Sequence, residues 1–508
     1  MAQNVTIAGA SYTGVPSVNM PTTGGGTSSF YDVSDTTATA SDVASGKVFY
    51  TASGAKATGT ASGGSANIEA LNVTQNGTYT ASGGVDGYSP ITVNVSGGGG
   101  GGGNITDPIR FFDYDGTLVA SYSSVPAALP DNPSHNGLVA QGWNYTLAQI
   151  QTQFNASGTC DVGQMYTTES GDTEIDVLMQ DGRLSPYLAL APNGTVTIDW
   201  GDGSATDTVA GTSNTTRKNT QHTYASAGFY TIKVHVSSGN VALYNTSSQP
   251  MLHANGGSTI SNRMYSNCVQ SVRIGASTKL GDYSLSNCQS LATVSIPSSV
   301  TRFGASMFLG CYSLAFVVVP SSVSSSSISN YLFDNCYSLV TVSIPSKVTR
   351  TGTYVFRNCY SLASIVLPSR VTTIGDYVFQ NCYSLSSFTM PSGVTSLGTY
   401  VFQNCYSLAS IEIPSGVTSI GTSAFNYCNS LASITIPSGV SSIGNNAFNA
   451  CGFGEIHFTR ETPPTLTNSN AFLSVPTDCI IYVPSGSLSA YTSASYYPSS
   501  STYAYVEE

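Results

Sequence analysis

Charge is what this chain has least of. Asp, Glu, Lys and Arg together make up 8% of its residues, the formal net charge is -11, and nowhere do Lys or Arg cluster. Nucleic acid and anionic membrane surfaces both call for a basic patch, so neither is an expected partner. No apolar run is long enough to span a bilayer. The amino end, Met-Ala-Gln-Asn-Val-Thr-Ile-Ala-Gly-Ala, has neither the basic start nor the apolar core of a secretion signal. The expectation is assembly in a cytosol without membrane insertion. Paired Cys-x-x-Cys spacing is missing too, although there are 11 cysteines, which removes the common zinc frameworks. The five histidines, His135, His222, His235, His253 and His457, are scattered and form no metal motif. No cofactor is expected.

What is present is repetition. Between Cys288 and Cys451 a block of about 23 residues recurs almost word for word, as from Cys405 to Tyr427. A period of that length predicts a solenoid, because one turn cannot bury its own apolar edge and gains stability only by stacking on its neighbours. Cys288, Cys311, Cys336, Cys359, Cys382, Cys405, Cys428 and Cys451 occupy one column of the repeat. Stacked neighbours in a column point the same way, a poor geometry for a disulfide, so these thiols read as buried, reduced packing groups.

The repeat also predicts its own cross-section. Ile411 and Ile413 point inward on a short strand while Ser410 and Glu412 point out, and Pro414 ends the strand. Gly421 fits the corner where the chain turns back. Phe425 and Cys428 begin a short helical or irregular turn that fills the other wall. Phe333, Phe356, Phe379, Phe402, Phe425 and Phe448 form an aromatic spine, and Pro345, Pro368, Pro391, Pro414 and Pro437 mark a common bend. Leu285 replaces the spine Phe in an early turn, and the run Ser324 to Ser327 adds residues that predict a bulge.

Candidate binding residues emerge from the columns. Tyr312, Tyr337, Tyr360, Tyr383 and Tyr406 each come directly after a buried cysteine, and Tyr331, Tyr354, Tyr377 and Tyr400 form a second column. Tyrosine is rigid and amphipathic and gives contact area at low entropic cost, as binding surfaces require. Stacked tyrosines also stabilise a solenoid by packing on one another, so both readings stand. On the strand wall Ser364, Ser387, Ser410 and Ser433, with Thr389 and Thr435, make a hydroxyl surface that either binds or is simply solvated. Between Cys268 and Ala450 the acids are Asp282, Asp334, Asp376 and Glu412, which do not pair as glycan hydrolysis requires. No catalytic residue is assigned.

The block Ile413-Pro414 through Leu431 resembles the BspA-type leucine-rich repeat family, whose turns read Ile-Pro-x-x-Val-x-x-Ile-Gly-x-x-Ala-Phe-x-x-Cys-x-x-Leu. The stretch from Pro463-Pro464-Thr465 to Leu488 is similar to that family's closing cap. The resemblance implies adhesion to surfaces and ligands. Val196-Thr197-Ile198-Asp199-Trp200-Gly201-Asp202-Gly203, with His222-Thr223-Tyr224, resembles a PKD domain, with Trp200 in the core and Asp202 as a turn carboxylate. Segments at Ser41–Tyr50, Leu71–Thr80, Asp107–Thr117 and Pro133–Asn144 resemble modules of phage tail and prophage proteins. Asp113-Tyr114-Asp115-Gly116-Thr117 resembles the first motif of haloacid-dehalogenase phosphatases, but the supporting lysine and the α/β periodicity are missing, which leaves an acidic turn between strands.

These readings predict a mainly β, multi-domain chain: small tail-attachment β modules over 1–96, a Gly linker over 97–104, a tail-type β-rich segment over 105–187, a PKD-like β-sandwich over 188–240, a leucine-rich-repeat solenoid with short helical turns over 260–458, and a cap over 459–508. The expected function is non-enzymatic: a phage tail fibre or receptor-binding protein, located in the virion tail. Its amino end would dock to tail or baseplate proteins, its rod would bind a bacterial surface glycan or protein, and a homotrimer is expected by analogy with tail fibres. The alternative is a cell-surface adhesin of a bacterium, disfavoured by the missing signal and anchor. A phosphatase or glycan hydrolase is the third class.

Overall fold

Twenty-three residues are too few to enclose a core, so the chain closes one by laying each coil on the next, and this sets the architecture. The computed structural model describes residues 107–243, 250–254 and 265–508 in full. Of residues 5–93 it describes the backbone of four antiparallel hairpins: Val5–Ile7 with Ala10–Tyr12, Ser17–Pro21 with Thr27–Tyr31, Val48–Tyr50 with Lys56–Thr58, and Gly77–Tyr79 with Ile91–Val93. The Gly linker at 97–104 lies outside the described residues. Residues 1–100 form one unit and 101–508 a second, to which the solenoid and the layers packed on it belong.

The fold is mainly β with a carboxy-terminal solenoid. Its coils pair in parallel with a 23-residue register: Ser387 with Ser410 on one wall, and Ser396 with Ser419, then Ser442, then Thr465 on another. The third wall, carrying the spine, is built from turns. Its register is held by backbone bonds in which Tyr377, Phe379 and Asn381 donate to the carbonyls of Thr399, Val401 and Gln403 at 2.8–2.9 Å. The expected helical turns are hydrogen-bonded turns with two left-handed residues per coil, as at Tyr354 and Asn358 (both φ 60°) and at Tyr400 (φ 58°) and Asn404 (φ 60°). Asparagine tolerates that conformation; for tyrosine it costs roughly 1–2 kcal/mol, offset here by stacking. Each bend proline accepts a bond from the valine three residues on, as Pro414 does from Val417 at 3.0 Å.

The interior is a set of ladders. Phe308, Phe333, Phe356, Phe379, Phe402, Phe425 and Phe448 are fully buried and stack at 5.3–5.6 Å. All 11 cysteines are free and buried. From Cys311 to Cys451 each thiol of the column donates to a carbonyl of the preceding coil, as Cys382 does to Phe356 and Cys405 to Phe379, both at 3.2 Å. Burial pushes these thiols up, Cys288 to about 12. Gly421 sits at a corner as expected, but for a different reason. A Cβ there would lie 2.5 Å from the carbonyl oxygen of Gly398, so the residue permits close approach of coil on coil and supplies no unusual φ.

Strands within 188–240 belong to one sheet that reaches past both bounds of that segment. Tyr187–Asp199 pairs with Gly228–Leu243, which pairs with Thr173–Met179, and this strand pairs with Val269–Arg273 at the start of the solenoid. Val269–Arg273 pairs in turn with Thr293–Ser295, and one apolar core continues from Ile175 to Tyr491. Trp200 is 1% exposed, stacked on His222 at 4.8 Å, and Asp202 accepts a turn bond from the Ser204 N–H at 3.0 Å. Arg273 clamps Asp176 at 2.7 Å, with Glu174 at 2.8 Å. Burial opposes ionisation of Asp176, but bonds from Arg273, Ser271 and Thr231 outweigh it and hold its carboxyl below the ordinary range.

Residues 107–168 form a smaller layer: Ile109–Phe112 lies between Leu118–Tyr122 and Cys160–Thr168, whose far edge pairs with Leu138–Trp143. Between the last two comes a helix, Leu147–Ser157, opened by a capping box of Thr146 and Gln149 and closed by Gly158 at φ 71°. Little helical periodicity is legible in that stretch; the capping pair was the available signal.

Three outcomes are expected. Phe402→Ala, which opens a void between two stacked rings, should cost about 3–5 kcal/mol in urea denaturation. Iodoacetamide should modify none of the 11 thiols in the folded protein and all of them in denaturant, read by mass spectrometry. A depressed carboxylate contributes stability above its unfolded pKa and loses it as pH falls through the folded value. The stability gap between the wild type and Asp176→Asn should therefore be full near neutrality and close below about pH 4.

Candidate functional site

The first tyrosine column is a continuous stack on the outside of the turn wall. Tyr312, Tyr337, Tyr360, Tyr383 and Tyr406 have ring centroids 4.5, 4.7, 4.7 and 5.1 Å apart. Exposure grows along it: the first three are half-buried, whereas Tyr383 is 36% and Tyr406 41% exposed. Partial burial first, and the flanking phenols second, push the Tyr337 hydroxyl up to about 12. The second column, Tyr331, Tyr354, Tyr377 and Tyr400, stacks at 4.5–4.8 Å and is half-buried throughout, with the Arg357 guanidinium 4.6 Å from the Tyr354 ring centre. The structure thus brings both columns into register, and the exposed rings belong to the end of the first.

Between the two columns runs an amide ladder that the residue pattern held but sequence reasoning passed over. Asn358, Asn381 and Asn404 each donate through Nδ2 to the Oδ1 of the asparagine one coil earlier, at 2.7, 2.6 and 2.7 Å. Its signal was the Asn-Cys pair repeated in every coil from Asn335 to Asn404.

The strand wall divides into a covered and an open part. Ser364 is half-buried, and its Oγ accepts a bond from Arg110 at 3.3 Å, so it belongs to the contact with the 107–168 layer. Arg110 is itself held by Asp161 at 2.7 Å. Asn144 donates to the Val319 carbonyl at 3.1 Å and to Ser343 at 2.9 Å, Tyr145 donates to the Ile344 carbonyl, and Gln153 donates to the Leu367 carbonyl at 3.1 Å. Phe112 and Met165 pack on Phe316 and Val318. Those two solenoid residues hold outward positions where most other coils carry Ser or Thr, and that is the sequence signal for a covered wall. Ser387 and Ser410 lie beyond the cover and are exposed, as are Thr389, Glu412, Ser433 and Thr435.

A second hydroxyl surface, also unread in the sequence, lies on the neighbouring wall. Thr372 with Thr373, Thr395 with Ser396, Thr418 with Ser419, and Ser441 with Ser442 form two parallel rows, exposed or half-exposed. Thr418 and Ser441 each donate to the carbonyl one coil earlier, at 3.2 and 3.1 Å, which fixes the rows.

The acids of the solenoid are dispersed. Asp334 is buried against Arg357 at 2.6 Å, Asp282 faces Arg302 at 3.1 Å, Asp376 accepts the Thr399 N–H at 2.7 Å, and Glu412 lies on the strand wall. Among the described residues no group of three His, Cys, Asp or Glu side chains is placed to hold a metal ion. Asp113 is a turn residue: its carbonyl accepts from Gly116 (φ 91°) at 3.1 Å, and its buried carboxylate faces His135 Nε2 at 2.6 Å. Burial, then the charge of Asp115, push its carboxyl up.

The family model for the BspA type leucine-rich repeat region, in six copies, matches residues 237–363 and 349–475. Among solved structures, the leucine-rich repeat protein of T. pallidum is 27% identical, over 36% of this chain and 82% of that one, with a TM-score of 0.28. A leucine-rich cell surface protein of Faecalibacterium prausnitzii is 24% identical over 42% and 71%, with a TM-score of 0.24. A leucine-rich repeat protein of Bacteroides ovatus is 18% identical over 56% and 90%, with a TM-score of 0.25. No curated protein matches the chain. The solenoid, from the strand that joins it to the amino-terminal sheet up to its cap, is built of BspA-type leucine-rich repeats.

Proposed function

We propose that the protein is a non-enzymatic adhesin whose rod binds a bacterial surface glycan or protein. The observation that carries this reading is the tyrosine column, which ends in exposed rings at Tyr383 and Tyr406 on a shaft held in register by every coil. Rings already stacked have little freedom left to lose, so contact with them has a low ordering cost. The open hydroxyl rows, Ser387 and Ser410 on one wall and Thr395 and Ser396 on the next, offer donors and acceptors on the same stretch of the rod. No helix among the described residues is long and apolar enough to cross a membrane.

Within that reading the protein is a phage tail component, a tail fibre or receptor-binding protein, docked to the tail or baseplate through its amino-terminal modules. The support is the likeness of Asp107–Thr117 and Pro133–Asn144 to tail and prophage segments. Several copies on one tail, as in a homotrimer, would multiply weak contacts by tethering. A second reading, a bacterial cell-surface adhesin, is equally compatible with the repeats themselves. Immunogold labelling distinguishes them: gold on the tails of purified virions supports the first, and gold on intact bacteria free of phage supports the second.

Binding is best measured on the whole chain, because a fragment starting after residue 260 would strip Thr173–Met179 from its partner Val269–Arg273. Changing Tyr360, Tyr383 and Tyr406 to Ala should weaken binding to host cells and extracted wall glycans on the order of ten-fold or more. Undiminished binding by a folded triple variant would remove the column from the function.

A further inference from the structure

Three ladders stop at the same coil. The second tyrosine column ends at Tyr400, where the next coil carries Ser423; the amide ladder ends at Asn404, where the next coil carries Tyr427; and the first tyrosine column ends at Tyr406, where the next coil carries Asn429. The repeat itself continues, with Phe425 stacked on Phe402 at 5.3 Å and Cys428 bonded to the Phe402 carbonyl at 3.2 Å. The break therefore lies in the outer side chains alone.

Two of these endings, at Tyr406 and Asn404, leave an unused binding group. One face of the Tyr406 ring is covered by Tyr383 at 5.1 Å, and no ring of the following coil covers the other. Asn429 does not replace it: in the amide orientation that satisfies both its ends, its nitrogen donates to the carbonyls of Ala450 at 3.0 Å and Tyr427 at 3.2 Å, which turns the side chain toward the coil beyond. Asn404 donates downward to Asn381 at 2.7 Å, and its Oδ1, which in every lower coil accepts from the asparagine above, has no asparagine above it. Tyr427, 44% exposed and without a stacking partner among the described residues, occupies the column in between.

We propose that this ledge is a saccharide subsite: a neutral sugar ring stacks its C–H face on Tyr406, in the place a sixth tyrosine would take, and donates a hydroxyl to Asn404 Oδ1, with Tyr427 at its flank. A rise of one coil is the thickness a stacked ring needs, as the column's own spacing of 4.5–5.1 Å shows. The ligand is neutral because residues 371–459 contain no Lys or Arg to neutralise a carboxylate or phosphate. The subsite rests on the adhesive reading and gives it a location: one ring at the end of the stack, not a polymer along its side.

Asn429→Tyr tests this without removing any group that the sugar would touch, at the loss of the Asn429 bonds to Ala450 and Tyr427, since it should extend the stack over Tyr406 and close the ledge. The full chain is titrated with chitotriose, mannotriose, galactobiose and, as the anionic control, trigalacturonic acid, by saturation-transfer NMR. Expected is transfer to at least one neutral sugar and none to the control, an affinity loss of about ten-fold or more in both Asn429→Tyr and Tyr406→Ala, and a loss of about two- to ten-fold in Asn404→Gly, which keeps the left-handed backbone. Unchanged binding in Asn429→Tyr overturns the ledge. If Tyr360→Ala with Tyr383→Ala then abolishes binding, the side of the column is the site and the adhesive reading survives. If no sugar binds while the whole chain still binds host cells, the saccharide assignment falls and adhesion stands.

Discussion

The register of one coil on the next is the constraint on which the rest of this protein depends. It is set by backbone groups: N–H donors on the spine wall reach carbonyls 22 positions on, as from Phe379 to Val401, and parallel strand pairs advance by 23. Glycine at the corner lets the chains approach, since a side chain at Gly421 would meet the backbone of the coil beneath. Once that register holds, identical residues fall above one another and ladders of phenylalanine, thiol, amide and phenol form together. Each ladder adds the same small contribution at every step, which is how a solenoid with little charge and no disulfide gains stability.

The same regularity gives the surface its chemistry. A row of stacked tyrosines and two rows of hydroxyls are by-products of copying one coil, and under the proposed function they serve as binding surfaces where they are left uncovered. Over the early coils the strand wall is occupied by the 107–168 layer, which buries Phe316 and Val318 and ties down the wall through Asn144, Tyr145 and Gln153. The open surface therefore belongs to the later coils, where Tyr383, Tyr406, Ser387 and Ser410 lie together on one stretch of the rod. Tyr337 and Tyr360 in the first column and Tyr354 and Tyr377 in the second, half-buried and stacked on both faces, stabilise the shaft.

Much of the solenoid was legible. Alternation at Ile411 and Ile413, the proline bend, the phenylalanine spine and the buried cysteine column all depend on local period and composition, and the structure places them as the pattern requires. The turn wall was less so: left-handed backbone at Tyr354 and Asn358 arises from bonds to the next coil, and no propensity of tyrosine announces it. The helix at Leu147–Ser157 carried only its capping pair as a signal. The extent of the amino-terminal sheet could not be read either, because the pairing of Thr173–Met179 with Val269–Arg273 joins strands far apart in the chain.

By itself the sequence determined the period, the residue columns and the sides on which they lie, because each depends on contacts between a residue and its own copies one coil away. Only the tertiary structure decided which columns are left uncovered. That depends on where a separate layer, distant in sequence and without the repeat's period, lies against the wall, and on which way Asn429 turns its amide at the coil where the ladders end.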